Sequence, residues 1–204
     1  MGKNPTGSWA DRLVVGISGA SGVAFGIRLL EAMAELGIES HLVVSKAAQQ
    51  TIRLETGLTA KAVAARANAV YAAGDVAAPI ASGSFRTRGM IVAPCSIRSM
   101  SEIATGVTST LLTRAADVTL KERRPLVLAV RETPLHLGHL RTMTALVEMG
   151  AVILPPVPAF YASPKSLEDM VDHFVGRMLD CFGYDWPKAK RWNGPARSKK
   201  ASHD

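Results

Sequence analysis

Cysteine is scarce in this chain. Only Cys95 and Cys181 occur among 204 residues, and they lie far apart. That leaves neither a disulfide framework nor a CxxC metal knuckle. No apolar run approaches the roughly 18 to 20 residues that a membrane span needs. The opening stretch, Met1 to Asp11, is polar and contains Pro5, so it is not a secretory signal peptide. Gly2 and Thr6 meet only the loose myristoylation pattern. No internal repeat and no interdomain linker is visible. These absences point to a reducing, cytoplasmic setting without a membrane partner.

What is present is an ordinary globular composition, with 48% hydrophobic and 20% charged residues. The length favours one domain with a full core. The net charge of +7 is unevenly placed. Residues 187–204 hold six basic side chains against Asp204, so they carry +5 and the rest of the chain only +2. A basic tail can attract nucleic acid, but the body shows no nucleic-acid motif, so no such partner is expected. The chain therefore divides into a flexible start (1–12), a single α/β domain (13–186) and a basic tail (187–204).

Short apolar runs alternate with helical patterns. Leu13–Ile17, Ser40–Val44, Gly89–Ala93, Leu126–Val130 and Ala151–Leu154 read as strands. Helices are expected after Gly22, over Ala47–Leu54, Ser99–Ala104, Leu111–Lys121 and His136–Glu148. A last helix, Ser166–Phe182, opens with a capping box of Ser166 and Asp169. The alanine-rich residues 57–80 give few boundaries. Strands apolar on both faces and alternating with helices imply an open, doubly wound, mostly parallel sheet flanked by helices. Ligands of such folds bind beyond the carboxyl ends of the strands.

Four strand ends are therefore candidate ligand contacts. Gly16, Gly19 and Gly22 are spaced G-x-x-G-x-x-G, unlike the dinucleotide fingerprint, and no G-K-[ST] follows. The loop suits a mononucleotide or another monophosphate, or it is simply a tight turn. Ser45-Lys46 ends the second strand without the acid that holds an NAD ribose. Pro94-Cys95-Ser96 ends the third; Cys95 is either a nucleophile or a buried structural thiol. Arg131-Glu132 sets an anion clamp beside a possible general acid or base, unless the pair is a surface salt bridge. His136 and His139 lack the HExxH spacing, so no metal is expected, and His136 either caps or lines its helix. Trp192 reads as a residue docking the tail, and Tyr161 follows a rigid proline segment that can face the crevice.

The ordered set Gly16-Ile-Ser-Gly-Ala-Ser-Gly22, Ser45-Lys46, Ser82-Gly-Ser84, Pro94-Cys-Ser96, Arg114-Ala-Ala-Asp117, Leu120-Lys-Glu-Arg-Arg-Pro125, Arg131-Glu132 and Pro155-Pro-Val-Pro-Ala-Phe-Tyr161 resembles the UbiX/Pad flavin prenyltransferases. The likeness runs from about Leu13 to Trp192. It implies a Rossmann-like or flavodoxin-like domain and a metal-independent transfer of a dimethylallyl group. The donor would be dimethylallyl monophosphate and the acceptor reduced FMN, bonded at N5 and C6. The prenylated FMN would serve a UbiD-type decarboxylase. By position, the resemblance assigns FMN contacts to Gly19, Ala20, Ser21, Ser45, Ser96, Ile97, Arg98, Ser99 and Arg131. It places Ser21, Arg114, Lys121, Arg131, Tyr161 and Arg177 around the prenyl phosphate, with Trp192 on a segment covering the site. Ser21, Glu55, Lys121 and Glu132 would be catalytic, and the family forms dodecamers with sites at subunit junctions. Thr110 departs from the Asn or Gly of several relatives.

Two other readings use the same residues. A flavin-dependent cysteine decarboxylase would need a catalytic histidine in an early helix, and the early chain offers only His41 in a strand candidate. A non-catalytic flavin carrier would need the binding loops but not Glu132.

Overall fold

The computed structural model describes residues 11–192 and Gly194. The expected flexible start and the outer part of the basic tail lie largely outside these residues. Six strands form one sheet: β1 (Arg12–Ile17), β2 (Glu39–Val44), β3 (Ala69–Tyr71), β4 (Met90–Cys95), β5 (Leu126–Val130) and β6 (Val152–Ile153). The spatial order is β3-β2-β1-β4-β5-β6, and every pairing is parallel. The expected doubly wound sheet is thus wholly parallel, with the order of a dinucleotide-type fold. Among the described residues no helix is long and apolar enough to cross a membrane.

The strand period of two sends alternate side chains into two cores. Leu13, Val15 and Ile17 face one layer, made by α1 (Val23–Glu35), α2 (Lys46–Thr56), α3 (Ala60–Ala64) and α7 (Leu167–Asp180). Val14, Val92 and Leu128 face the other, made by α4 (Ile97–Ala104), α5 (Leu111–Lys121) and α6 (Leu137–Glu148). Burial on both sides explains why the strands read as continuous apolar runs.

The uninformative stretch 57–80 holds α3 and β3, which the sequence does not announce. Alanine favours helix and packs weakly, so a three-residue strand inside it leaves no period to count. Thr59 starts α3 by accepting the Ala62 N–H. α7 begins as expected, with Ser166 accepting the Asp169 N–H at 3.1 Å. The Asp169 carboxylate, however, accepts from the Lys165 N–H instead of returning to Ser166, so the box is only half closed. Thr110 and Thr113 cap α5 reciprocally, which gives the unusual Thr110 a local structural use.

His41 is 3% exposed in β2, with Nδ1 2.8 Å from the Tyr71 hydroxyl and Nε2 2.9 Å from the Glu39 carboxylate. Burial, only partly offset by Glu39, lowers its pKa from the ordinary 6.5. The native chain therefore binds this proton more weakly than the unfolded chain, and stability is lost as pH falls through the native pKa. We expect the melting temperature to drop from about pH 7 to about pH 5, less steeply in His41→Phe than in wild type. Equal slopes would remove His41 from the acid response.

Candidate active site

The functional edge is built at the carboxyl ends of β1 and β4. The buried Ser18 hydroxyl donates to the Pro94 carbonyl at 2.9 Å and accepts the Ser96 N–H at 2.7 Å. It staples the two strand ends together at the point where the strand order reverses, the usual ligand position in such sheets. Gly19 then passes so close to α2 that a Cβ would lie 2.4 Å from the Ala47 Cβ. Gly22 takes a left-handed φ of 96° to start α1. Ser45 starts α2 by accepting the Ala48 N–H, and Ser96 starts α4 by accepting from Ser99. Three helix N-termini thus converge on one edge, a setting suited to an anionic ligand. At α1 the protein fills this role itself. The Glu55 carboxylate, from α2, accepts the Gly22 and Val23 N–H groups at 2.9 and 3.1 Å.

Beside this edge opens a crevice of about 1140 Å³. Its volume exceeds the roughly 300–1,000 Å³ typical of a site for one drug-sized ligand. Its walls are mainly apolar: Phe25, Leu58, Val130, Pro155, Pro156 and Val157, with Met170 and Phe174 from α7. Four expected site residues line it: Ser21, Glu55, Arg131 and Glu132. The Arg131 N–H donates to the Cys95 carbonyl at 3.0 Å, which fixes the β5 end against β4. Arg131 and Glu132 are not a salt bridge among the described residues; one Glu132 carboxylate oxygen accepts the Thr133 N–H at 3.0 Å. Gly19, Ala20, Ser45, Ser96, Ile97, Arg98 and Ser99 occupy the turns and helix starts of the same edge. Arg98 points outward, 82% exposed, and pairs with Glu102.

The remaining expected residues are placed elsewhere in the single chain. Lys121 ends α5 shortly before β5 begins, so it stands at the opposite edge of the sheet from Arg131. Its Nζ meets the Glu122 carboxylate at 2.6 Å. The Ser82-Gly-Ser84 turn packs there too; a Cβ on Gly83 would collide with Glu122 and Lys121. Arg114 pairs with Asp117 at 2.7 Å and donates to the Ala81 carbonyl. Arg177 pairs with Asp180 at 2.6 Å in the last turn of α7, beyond the part that lines the crevice. Tyr161, in a 3₁₀ turn following the proline wall, stacks edge-on against Trp192 at 5.6 Å. The start of the tail is therefore docked on the body: Ala189 is buried against Gly176, and Trp186 is 1% exposed.

The sequence gives no hint of one wall element. Arg28 of α1 donates to Asp172 of α7 at 2.6 Å and lies 4.9 Å over the Trp186 ring. The hydrogen bond to Asp172 holds the guanidinium pKa above its ordinary value, despite some burial. Helical periodicity places Arg28 on a face, but nothing in the sequence names a partner 144 positions away.

Two other candidates resolve into structural roles. Cys95 is fully buried, and burial pushes its thiol up to about 12, so it is no nucleophile. At about pH 8, iodoacetamide is expected to modify Cys181 and to reach Cys95 only after denaturation, read by peptide mass spectrometry. Native labelling of Cys95 would reopen the nucleophile reading. His136 caps α6 through Nδ1, which accepts the Gly138 and His139 N–H groups. No histidine lines the crevice among the described residues, and His41 is held in the sheet. The cysteine-decarboxylase alternative is left without its histidine.

An open α/β sheet whose switch point gathers three helix N-termini, with an apolar crevice opening beside it, has the architecture of a mononucleotide-binding protein of the flavoprotein kind, and the flavoprotein family model matches residues 2–179. The flavin prenyltransferase UbiX of Escherichia coli K12 is 56% identical over 186 residues, covering 90% of this chain and 98% of that protein. The crystal structure of AnUbiX (PadA1) in complex with FMN and dimethylallyl pyrophosphate superposes with a TM-score of 0.89 at 51% identity, over 90% and 97% of the two chains. A dodecameric FMN-dependent UbiX-like decarboxylase from E. coli O157:H7 gives 0.88 at 50% identity, over 90% and 100%. The chain belongs to the UbiX flavin prenyltransferase family.

Proposed function

We propose that this protein joins a dimethylallyl group, from dimethylallyl monophosphate, to reduced FMN at N5 and C6. The prenylated FMN passes to a UbiD-type decarboxylase, and the reaction takes place in the cytoplasm. The observation that carries the reading is the gathering of Ser21, Glu55, Arg131 and Glu132 around one large apolar crevice in a chain of this family. Reduced FMN supplies the nucleophilic positions. Gly19, Ala20, Ser21, Ser45, Ser96, Ile97, Arg98 and Ser99 hold it at the switch point.

Breaking the allylic C–O bond leaves the electron pair on the phosphate and positive charge on carbon. Without a metal ion, side chains must stabilise the departing anion. Arg131 does so from the crevice, and Tyr161 and Arg177, which lie outside its lining, are assigned to the same phosphate by the family pattern. Glu132 gives a proton to the departing phosphate and takes one back as the new ring closes. Ser21 and Glu55, neighbours at the α1 start, take the proton released at the flavin nitrogen and return it to the prenyl double bond, so that C6 can bond to the resulting cationic carbon. The apolar wall and Trp192 exclude water that would trap the cation. Lys121 stands at the opposite edge of its own chain's sheet, and Arg114 lies on α5, which packs on the other face of the sheet from the crevice, so both act in the crevice of a neighbouring copy, within a homo-oligomer of dodecameric type.

The test is anaerobic incubation with FMN, a reductant and dimethylallyl monophosphate, followed by mass spectrometry of the extracted flavin. Gain of one C5H8 unit is expected. Unmodified flavin with both the monophosphate and the diphosphate, in a flavin-loaded protein, would overturn the reading in favour of a carrier.

A further inference from the structure

Tyr161 is half exposed, yet its turn is tied down from two elements. Lys190 of the tail donates to the Ala162 carbonyl at 3.0 Å. From α7, His173 meets the Tyr161 ring edge-on at 5.7 Å, with Nε2 3.4 Å from the phenol oxygen. His173 is only 7% exposed, and its buried Nδ1 has no hydrogen-bond partner among the described residues. Arg177 follows one helical turn later on the same helix. This histidine is absent from every role assigned above.

A phenol carries one proton. If Tyr161 donates it to His173, none remains for a phosphate. If Nε2 carries the hydrogen, the phenol oxygen accepts from His173 and its own O–H is directed elsewhere. An orphaned buried N–H is the rarer kind of unpaired group, so the bare Nδ1 favours the tautomer with hydrogen on Nε2. A cavity of about 40 Å³ adjoins His173, lined also by Asp169, Asp172, Lys188 and Lys190, which is room for one water.

We propose that His173 is a positioning residue: it donates from Nε2 to the Tyr161 oxygen and so turns the phenol proton toward the prenyl phosphate. This rests on the reading of Tyr161 as a phosphate ligand. The readout is the KM for dimethylallyl monophosphate and the kcat, with reduced FMN saturating, in the full-length protein. His173→Phe keeps a ring edge and removes both nitrogens. It is expected to raise KM about fivefold, the worth of one net hydrogen bond, with FMN affinity unchanged. His173→Gln, which keeps an N–H near the Nε2 position, is expected to restore KM to within about twofold. In a Tyr161→Phe background, His173→Phe should add nothing further.

A wild-type KM in His173→Phe would overturn the proposal, as would an effect that multiplies in the Tyr161→Phe background. Should His173→Phe fail to fold, His173→Asn, which keeps an amide only near Nδ1, takes its place with the same expectations. A neutral Tyr161→Phe in an active enzyme would remove the hydroxyl role and overturn the proposal while leaving the prenyl transfer standing. Absence of prenylation in wild type would overturn the function itself.

Discussion

Glu132→Gln is expected to lower the turnover of flavin prenylation by about 10²- to 10⁴-fold, the usual worth of a positioned general acid or base. FMN affinity and melting temperature should stay at their wild-type values. Glu132 lines the crevice two residues beyond the end of β5, next to Arg131, whose N–H is tied to the Cys95 carbonyl. Its only protein donor among the described residues is the Thr133 N–H, to one carboxylate oxygen. The other oxygen is therefore open to a substrate atom. Glutamine keeps the volume and the acceptor for Thr133 but cannot carry the transferable proton, so the change isolates proton transfer from shape. Glu55 makes a contrasting case, since its carboxylate also closes the start of α1 and its removal would mix catalysis with folding. The measurement is single-turnover formation of prenylated flavin, with flavin binding followed separately by fluorescence. Turnover within tenfold of wild type would place the proton on another group.

The middle of the sheet was legible because β1, β2, β4 and β5 are buried on both faces and each ends in punctuation: Ser18-Gly19, Ser45, Pro94 to Ser96, Arg131-Glu132. Those strand ends also located half of the site, because a parallel sheet brings its carboxyl ends together whatever the loop lengths. Glu55 entered only through the resemblance. Its role at the Gly22 and Val23 N–H groups depends on where α2 lies against α1, which no local pattern encodes. The same holds for Arg28 with Asp172, and for His173 with Tyr161. Residues 57–80 stayed opaque for a different reason: alanine carries little apolar area and little β preference, so β3 is made by pairing with β2 and not by its own sequence. Lys121 and Arg114 show a further limit. Their motifs were visible, but the fold puts Lys121 at the far edge of the sheet and Arg114 on α5, on the other face from the crevice.

That separation leads to the second large effect. Lys121→Ala alone and Glu132→Gln alone are each expected to reduce prenylation at least about 10²-fold. Co-expressed and purified through two different tags, the two variants should regain about a quarter of wild-type activity, the fraction of junctions in a randomly mixed symmetric assembly that pair an intact Glu132 with an intact Lys121. The argument is geometric. β5 runs from the Lys121 end of the sheet to the Glu132 end, roughly 17 Å at ~3.3 Å per residue. A lysine side chain cannot cover that distance across a packed core. Lys121 also stands where the Ser82-Gly-Ser84 turn and Arg124 come together: Arg124 donates to the Gly83 carbonyl at 2.6 Å and to the Phe85 carbonyl at 2.8 Å. This hydrogen-bonded cluster, with Glu122 against Lys121, fixes the place from which the ammonium group can be presented to another subunit. If Lys121 instead served its own chain, every mixed assembly would contain only sites lacking one of the two groups, and co-purified variants would stay as inactive as either parent. Recovered activity that disappears when the assembly is dissociated would tie the shared site to the contact between copies.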